Sequence, residues 1–252
     1  YNGLPHEHPV CGDENCTDHD SVKWTGVSSL DEITESGSYY LTADVTLSNT
    51  WTNGYDVNLC LNGHSITLKS STADRAIRVN NDSGSNKTLS ISDCNGSGKG
   101  NGIITGASSY GVYVPSTNAF NLYGGTITGT GYGVNSHGTF NMYGGVIKEN
   151  SWHGVDSSGT FHMYGGSIIN NTAQGSNGGG VYVYRGTFTV SGDVTIIGNT
   201  VKGETNNVYL PNNKTITVSG TLGKNAKIGV TTAKAIADGS YLTVAKGDSK
   251  YT

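Results

Sequence analysis

Charge is scarce in this 252-residue chain. Asp, Glu, Lys and Arg make up 13% of it, and 15 Lys+Arg against 19 Asp+Glu leave a net charge of −4. That balance excludes the basic stripe of a nucleic-acid-binding surface and a polybasic membrane-binding face. No stretch approaches the roughly 18 to 20 consecutive apolar residues that span a bilayer. The first residues lack the basic-then-apolar profile of a secretory leader. The chain therefore reads as a mature excerpt of a longer, multidomain protein, with no direct membrane insertion. Proline is rare at 4 residues, so the 38 glycines signal neither collagen nor a flexible linker. Hydrophobic residues amount to only 34%, but they are spread evenly and favour Val, Ile and Tyr, as one all-β domain of this length requires.

What is present is a repeat. Phe120-Asn-Leu-Tyr-Gly-Gly125 returns as Phe140-Asn-Met-Tyr-Gly-Gly145 and as Phe161-His-Met-Tyr-Gly-Gly166, with starts 20 and 21 residues apart. A decayed copy follows at Phe188-Thr-Val-Ser-Gly-Asp193. Ahead of the copies lie Gly111-Val112, Gly133-Val134, Gly154-Val155 and Gly180-Val181, and behind them Ile127, Ile147, Ile168 and Ile196. Three short period-2 segments in about 20 residues cannot each bury a face alone, but stacked copies can. The expected fold is a right-handed parallel β-helix with three sheets and about eight coils, spanning residues 35–252. Residues 1–34 would form an N-terminal Cys/His segment and cap. Alternation sends Phe120, Phe140, Phe161 and Phe188 inward with Leu122, Met142, Met163 and Val190. Thr130, Asn150, Asn171 and Asn199, each three residues after an Ile, read as a corner ladder bonding the backbone of neighbouring coils. Ser29-Leu-Asp-Glu32 has capping-box spacing, which places a short helix near residues 29–34 over the open end.

The N-terminal His/Cys segment, Leu59-Cys-Leu-Asn-Gly-His64, Ser92-Asp-Cys94 and the repeated Phe-x-Met-Tyr-Gly-Gly together resemble the parallel β-helix repeat regions of large secreted or wall-attached proteins of Gram-positive gut bacteria. The resemblance covers about residues 6–230. It implies an extracellular setting and an adhesin-like or host-interaction role, including binding of host proteins such as immunoglobulins. The wider fold also houses pectate lyases and glycosidases.

Catalysis on such a fold needs paired carboxylates or a carboxylate-bound Ca²⁺. Between residues 101 and 200 the only carboxylates are Glu149, Asp156 and Asp193. The one acid/base trio to weigh is Glu149, His153 and Asp156, against the plainer reading of solvated surface acids. Gly96-Ser-Gly-Lys-Gly-Asn-Gly102 lacks the Walker spacing and reads as a glycine-rich coil insertion. An outward threonine array for ice binding is interrupted by Lys148 and Ile169.

Surface remains. Tyr123, Tyr143 and Tyr164 should stack on one face beside Asn121, Asn141 and His162. On the neighbouring face Tyr113, Tyr182 and Tyr209 recur with Asn135 and Asp156. Such ladders can simply stabilise a sheet, yet a repetitive aromatic face almost without charge suits docking better than catalysis. The expectation is a non-catalytic binding module contacting a host protein, immunoglobulin included, or a host glycan. The alternatives are a carbohydrate-active enzyme and a passive stalk.

Residues 6–19 hold three of the seven histidines and two of the four cysteines. Cys11, Cys16, His8 (or His6 in its place) and His19 could close a structural tetrahedral zinc site. A Cys11–Cys16 disulfide, favoured by the extracellular setting the resemblance implies, is the competing reading. Cys60 and Cys94 fall on adjacent coils, but the simplest alignment puts one mid-strand and the other at a corner, not face to face, leaving a bridge or two thiols open.

Overall fold

The computed structural model describes residues 6–12, 20–70, 72–80, 86–94, 101–175, 177–211, 214–233 and 243–248. The chain forms the parallel β-helix that the repeat predicts. Sheet I has ten strands, running from Thr25–Val27 through Gly37–Leu41, Val57–Cys60, Thr88–Ser92, Ala119–Leu122, Thr139–Met142 and Thr160–Met163 to Ala245–Gly247. Sheets II and III have eight strands each. Sheet II runs from Val45–Leu47 to Lys227–Ile228, and sheet III from Trp51–Asn53 to Val230–Thr232. Each sheet contributes one strand per turn, so eight complete coils stack between Gly37 and Thr232, about 40 Å at the usual strand spacing.

Register follows the repeat. Phe120 pairs with Phe140, Phe140 with Phe161, and Phe161 with Phe188. Their rings stack at 5.3, 4.9 and 4.8 Å in an interior that excludes water. Leu122, Met142, Met163 and Val190 form the neighbouring inward column, and Ile127, Ile147, Ile168 and Ile196 fill the sheet II side. The parallel stacking of like residues is what gives a narrow solenoid a continuous core.

Two corner devices hold the turns. The second glycine of each Gly-Gly pair has φ of +83° (Gly125), +76° (Gly145) or +85° (Gly166), a region costly for any other residue. The first leaves no room for a side chain, since a Cβ at Gly144 would lie 2.3 Å from the Tyr123 carbonyl oxygen. At the other corner the buried amide ladder forms as expected. Asn150 Oδ1 accepts from Thr130 N at 3.1 Å, Asn171 Oδ1 from Asn150 N at 3.1 Å, and Asn199 Oδ1 from Asn171 N at 3.0 Å. Asn207 extends the ladder, accepting from Asn199 N at 2.9 Å.

The expected helix is a single 3-10 turn, Leu30–Glu32, with both halves of the capping box made around Ser29. Leu30 and Ile33 join the main apolar core and close its N-terminal end. No helix among the described residues is long and apolar enough to cross a membrane.

Candidate functional site

Two regions concentrate chemistry. The first is the outward side of sheet III, where register brings Tyr113, Asn135, Asp156, Tyr182 and Tyr209 into one row, as their spacing predicts. Asp156 lies half-buried in a groove of about 290 Å³ lined by Asn135, His137, Ser158, Tyr182 and Tyr184. Asn135 Nδ2 donates to Asp156 Oδ2 at 3.2 Å, while the buried Asn135 Oδ1 has no partner among the described residues. Burial pushes the Asp156 carboxyl above the usual carboxylate range, against the opposing pull of His153 and His137. Burial likewise lowers His153, whose Nδ1 lies 2.6 Å from the Gly178 carbonyl oxygen and so carries the proton in the neutral ring.

The aromatic surface here is larger than the sequence reading found. Tyr110 and Tyr132, which open their sheet III strands, and Trp152 at the corner ahead of the next strand continue it, with ring centres 5.2 and 5.7 Å apart. Arg75 packs on Tyr110 and Tyr113 at 5.5 and 4.9 Å, and Arg78 on Tyr113 at 5.3 Å. The recurring Tyr110-Gly111 and Tyr132-Gly133 pairs were the available signal.

Tyr123, Tyr143 and Tyr164 do stack, at 4.6 and 4.9 Å, just past the ends of sheet I strands. Beside them Asn141 Nδ2 donates to Asn121 Oδ1 at 2.8 Å, and His162 Nδ1 meets Thr189 Oγ1 at 2.5 Å. These polar groups satisfy one another along the sheet, so this face offers a ligand fewer unmade hydrogen bonds than the Asp156 groove.

The acid/base trio is not assembled as a unit. His153 and Asp156 are close enough to act on each other's charge, His153 pulling the Asp156 carboxyl down and Asp156 pulling the imidazole up, each against burial. Glu149 sits exposed on a corner with φ of +54°, its carboxylate 3.4 Å from Lys148 Nζ.

The second region is buried, and it corrects the expected metal site. His6, His8, Cys60 and Cys94 bring one donor atom each to within 4.8 Å of one another, a group that could hold a metal ion. His8 belongs to it as expected and His6, expected only in its place, joins it as a second imidazole; Cys11 does not belong to it, and Cys16 and His19 lie outside the described residues. The two thiols come from Cys60 and Cys94, which the sequence alignment had not placed face to face. Their sulfurs are 2.7 Å apart. Ser92 pairs with Cys60 in the ladder. The corner after Ser92 then returns Cys94 to the outer flank of sheet I, where alternation within the strand no longer applies. His6 Nε2 is 3.0 Å from His8 Nε2 and 3.4 Å from Cys94 Sγ. Burial raises the Cys60 thiol, but hydrogen bonds from Cys94, His6 and His8 outweigh it and bring the thiol down to about 3. Cys94, hydrogen-bonded to the Cys60 thiolate and buried, is pushed up.

Fold and sites together define a parallel β-helix with an aromatic, arginine-edged groove on one sheet and a buried His/Cys donor group on another. Neither the family models, the curated proteins nor the solved structures give a match to the chain.

Proposed function

We propose that this chain is a non-catalytic binding module of an extracellular bacterial surface protein that docks a host protein through the sheet III face around Asp156. The observation that carries the reading is the continuous Tyr/Trp/Arg surface with one half-buried carboxylate at its centre. Tyr, Trp and Arg are the residues that dominate the energetic centres of protein interfaces. A protein partner, immunoglobulin being the one the resemblance names, therefore fits better than a glycan, which is a second outcome of the test. One groove carboxylate, with Glu149 paired to Lys148, gives the enzyme reading little to work with. The proposal also takes the ion of the His6/His8/Cys60/Cys94 group to be zinc in a structural role, because two thiols and two imidazoles suit zinc and leave no position open for water.

The test is a pull-down from serum and intestinal secretions with the 252-residue chain as bait, beside a glycan array. A saturable protein partner is expected. Tyr182→Ala and Trp152→Ala should each weaken it by roughly 30-fold, the cost of a hot-spot residue of about 2 kcal/mol, with the far-ultraviolet circular dichroism unchanged. Loss on Tyr143→Ala or Tyr164→Ala instead would move the site to sheet I. Silence in both screens would leave the stalk. Polysaccharide turnover abolished by Asp156→Asn would make the chain an enzyme.

A further inference from the structure

The N-terminal segment is tied to the solenoid differently from every coil. Among the described residues, strand β1 (Glu7–Pro9) pairs with β2 (Ser21–Lys23) alone, antiparallel, in a two-stranded sheet separate from the three long ones. An isolated two-stranded hairpin is marginal in water, and no repeat partner stacks on this one. Its own apolar contact with the β-helix is a small cluster of Trp24, Cys60 and Cys94 with Val10, Val22 and Tyr40 at its edge. Trp24 Nε1 donates to the His8 carbonyl oxygen at 2.9 Å, and the His6 ring stacks on Tyr40 at 4.0 Å. Placed at the centre of that contact are the four donors.

Their arrangement meets the demands of a tetrahedral ion. Zn–S of about 2.3 Å and Zn–N of about 2.0 to 2.1 Å give donor–donor edges of about 3.3 to 3.8 Å, inside the 4.8 Å span of these four atoms. The sulfurs need to part by about 1 Å from their 2.7 Å separation to reach such an edge. His8 Nδ1 lies 2.6 Å from the Pro9 carbonyl oxygen, so its proton is held there and the Nε2 lone pair points into the group. Cys94 N donates to Cys60 Sγ at 3.3 Å, the backbone support usual for a metal thiolate. Two thiolates with two neutral imidazoles cancel the charge of a divalent cation. That neutrality matters because His6, His8, Cys60 and Cys94 are all buried. His6 and His8 come from the segment of the hairpin, Cys60 from the end of a sheet I strand, and Cys94 from the corner that follows the adjacent strand of the same sheet, on the next coil.

We propose that a zinc ion at His6, His8, Cys60 and Cys94 fastens the N-terminal hairpin to the outer flank of sheet I, so that docking of this segment depends on metal while the eight coils do not. The inference rests on the zinc reading given under Proposed function and adds what the ion does. Half of its ligands lie on each side of the contact, so removing it takes away two anchors on each side and leaves the hairpin to the Trp24 cluster, the His6–Tyr40 stack and its hydrogen bonds.

The experiment uses the full chain, purified under reducing conditions with zinc present. Metal analysis should find one zinc per chain, and Co²⁺ in its place should give the intense visible bands of a tetrahedral thiolate site. Hydrogen exchange is then followed before and after a strong chelator. Amides of β1 and β2 should exchange faster by more than about tenfold in the metal-free chain, while the Phe140 and Phe161 strands keep their protection. His6→Ala removes a buried ligand that belongs to the hairpin segment and not to a coil, and should reproduce the metal-free pattern with the β-sheet circular dichroism retained. If zinc binds but β1 and β2 stay protected after chelation, the fastening is wrong and the zinc reading stands. If the reduced chain takes no metal and mass analysis finds a Cys60–Cys94 disulfide on exposure to air, both are wrong.

Discussion

Replacing Asn171 by Ala tests whether the corner amides hold the coils together. Asn171 is fully buried. Its Oδ1 accepts from Asn150 N at 3.1 Å and Asn150 Nδ2 at 2.9 Å. Its Nδ2 donates to the Ile147 carbonyl oxygen at 3.2 Å and to Asn199 Oδ1 at 2.8 Å. Truncation leaves the Asn150 amide N–H and the Ile147 carbonyl without these partners at a dry corner, and each stranded group costs about 1 to 3 kcal/mol. With a small cavity added, the expected loss is about 3 to 5 kcal/mol, a fall in melting temperature of roughly 6 to 20 °C for a chain of this size. The control is Asn141→Ala, which removes one half-exposed bond to Asn121 that water can replace and should cost under about 1 kcal/mol. Urea unfolding followed by tryptophan fluorescence measures both, with an unchanged slope required for the comparison. Because Asn150 and Asn171 share bonds, the double alanine variant should cost less than the two single losses added. An Asn171→Ala midpoint indistinguishable from that of Asn141→Ala would refute the reasoning and leave the Phe and Ile columns as the main hold on the coils.

Three further outcomes follow from groups outside the ladder. Burial holds His153 below the usual histidine range, so the unfolded chain takes up a proton there before the folded one does. The stability it contributes is complete above about pH 6.5 and lost as pH falls through its folded value; urea midpoints across this range should show the decline, and His153→Gln should flatten it. Asp156, raised chiefly by burial, acts with the opposite sign in a lower window, favouring the folded state most below about pH 3.9 and losing that favour as pH rises through its folded value. Ser29→Ala removes the side chain that accepts from Asp31 N at 3.2 Å at the end cap and should cost about 0.5 to 2 kcal/mol, read as earlier unfolding by differential scanning calorimetry.

What could be read in the sequence is what the solenoid repeats. The spacing of Phe120, Phe140 and Phe161 sets the register of sheet I, and from it the inward columns, the corner amides and the count of eight coils all follow, because each coil must place like residues over like. The row from Tyr113 to Tyr209 was legible for the same reason. Tyr132 and Trp152 were not: Tyr132 opens its strand with the same parity as the inward Val134, so alternation points it the wrong way, and Trp152 lies at the corner ahead of the next strand, where alternation gives no direction. The His/Cys group was the hardest to see. His6 and His8 lie in a segment without a copy elsewhere in the chain, and Cys94 lies two residues past the end of its strand, so no periodic argument connects them. Cys11 and Cys16 drew attention through proximity in sequence, whereas Cys60 and Cys94, 34 residues apart, became neighbours through the stacking of coils. Both candidate sites thus interrupt the repeat: Asp156 stands where adjacent coils carry Asn135 and Tyr182, and the donor group forms where a non-repeating segment meets the coils. In a fold whose stability is distributed evenly among like units, one coil can carry an unlike residue at small cost to its neighbours, and the departures from the repeat are therefore where a binding role should be sought first.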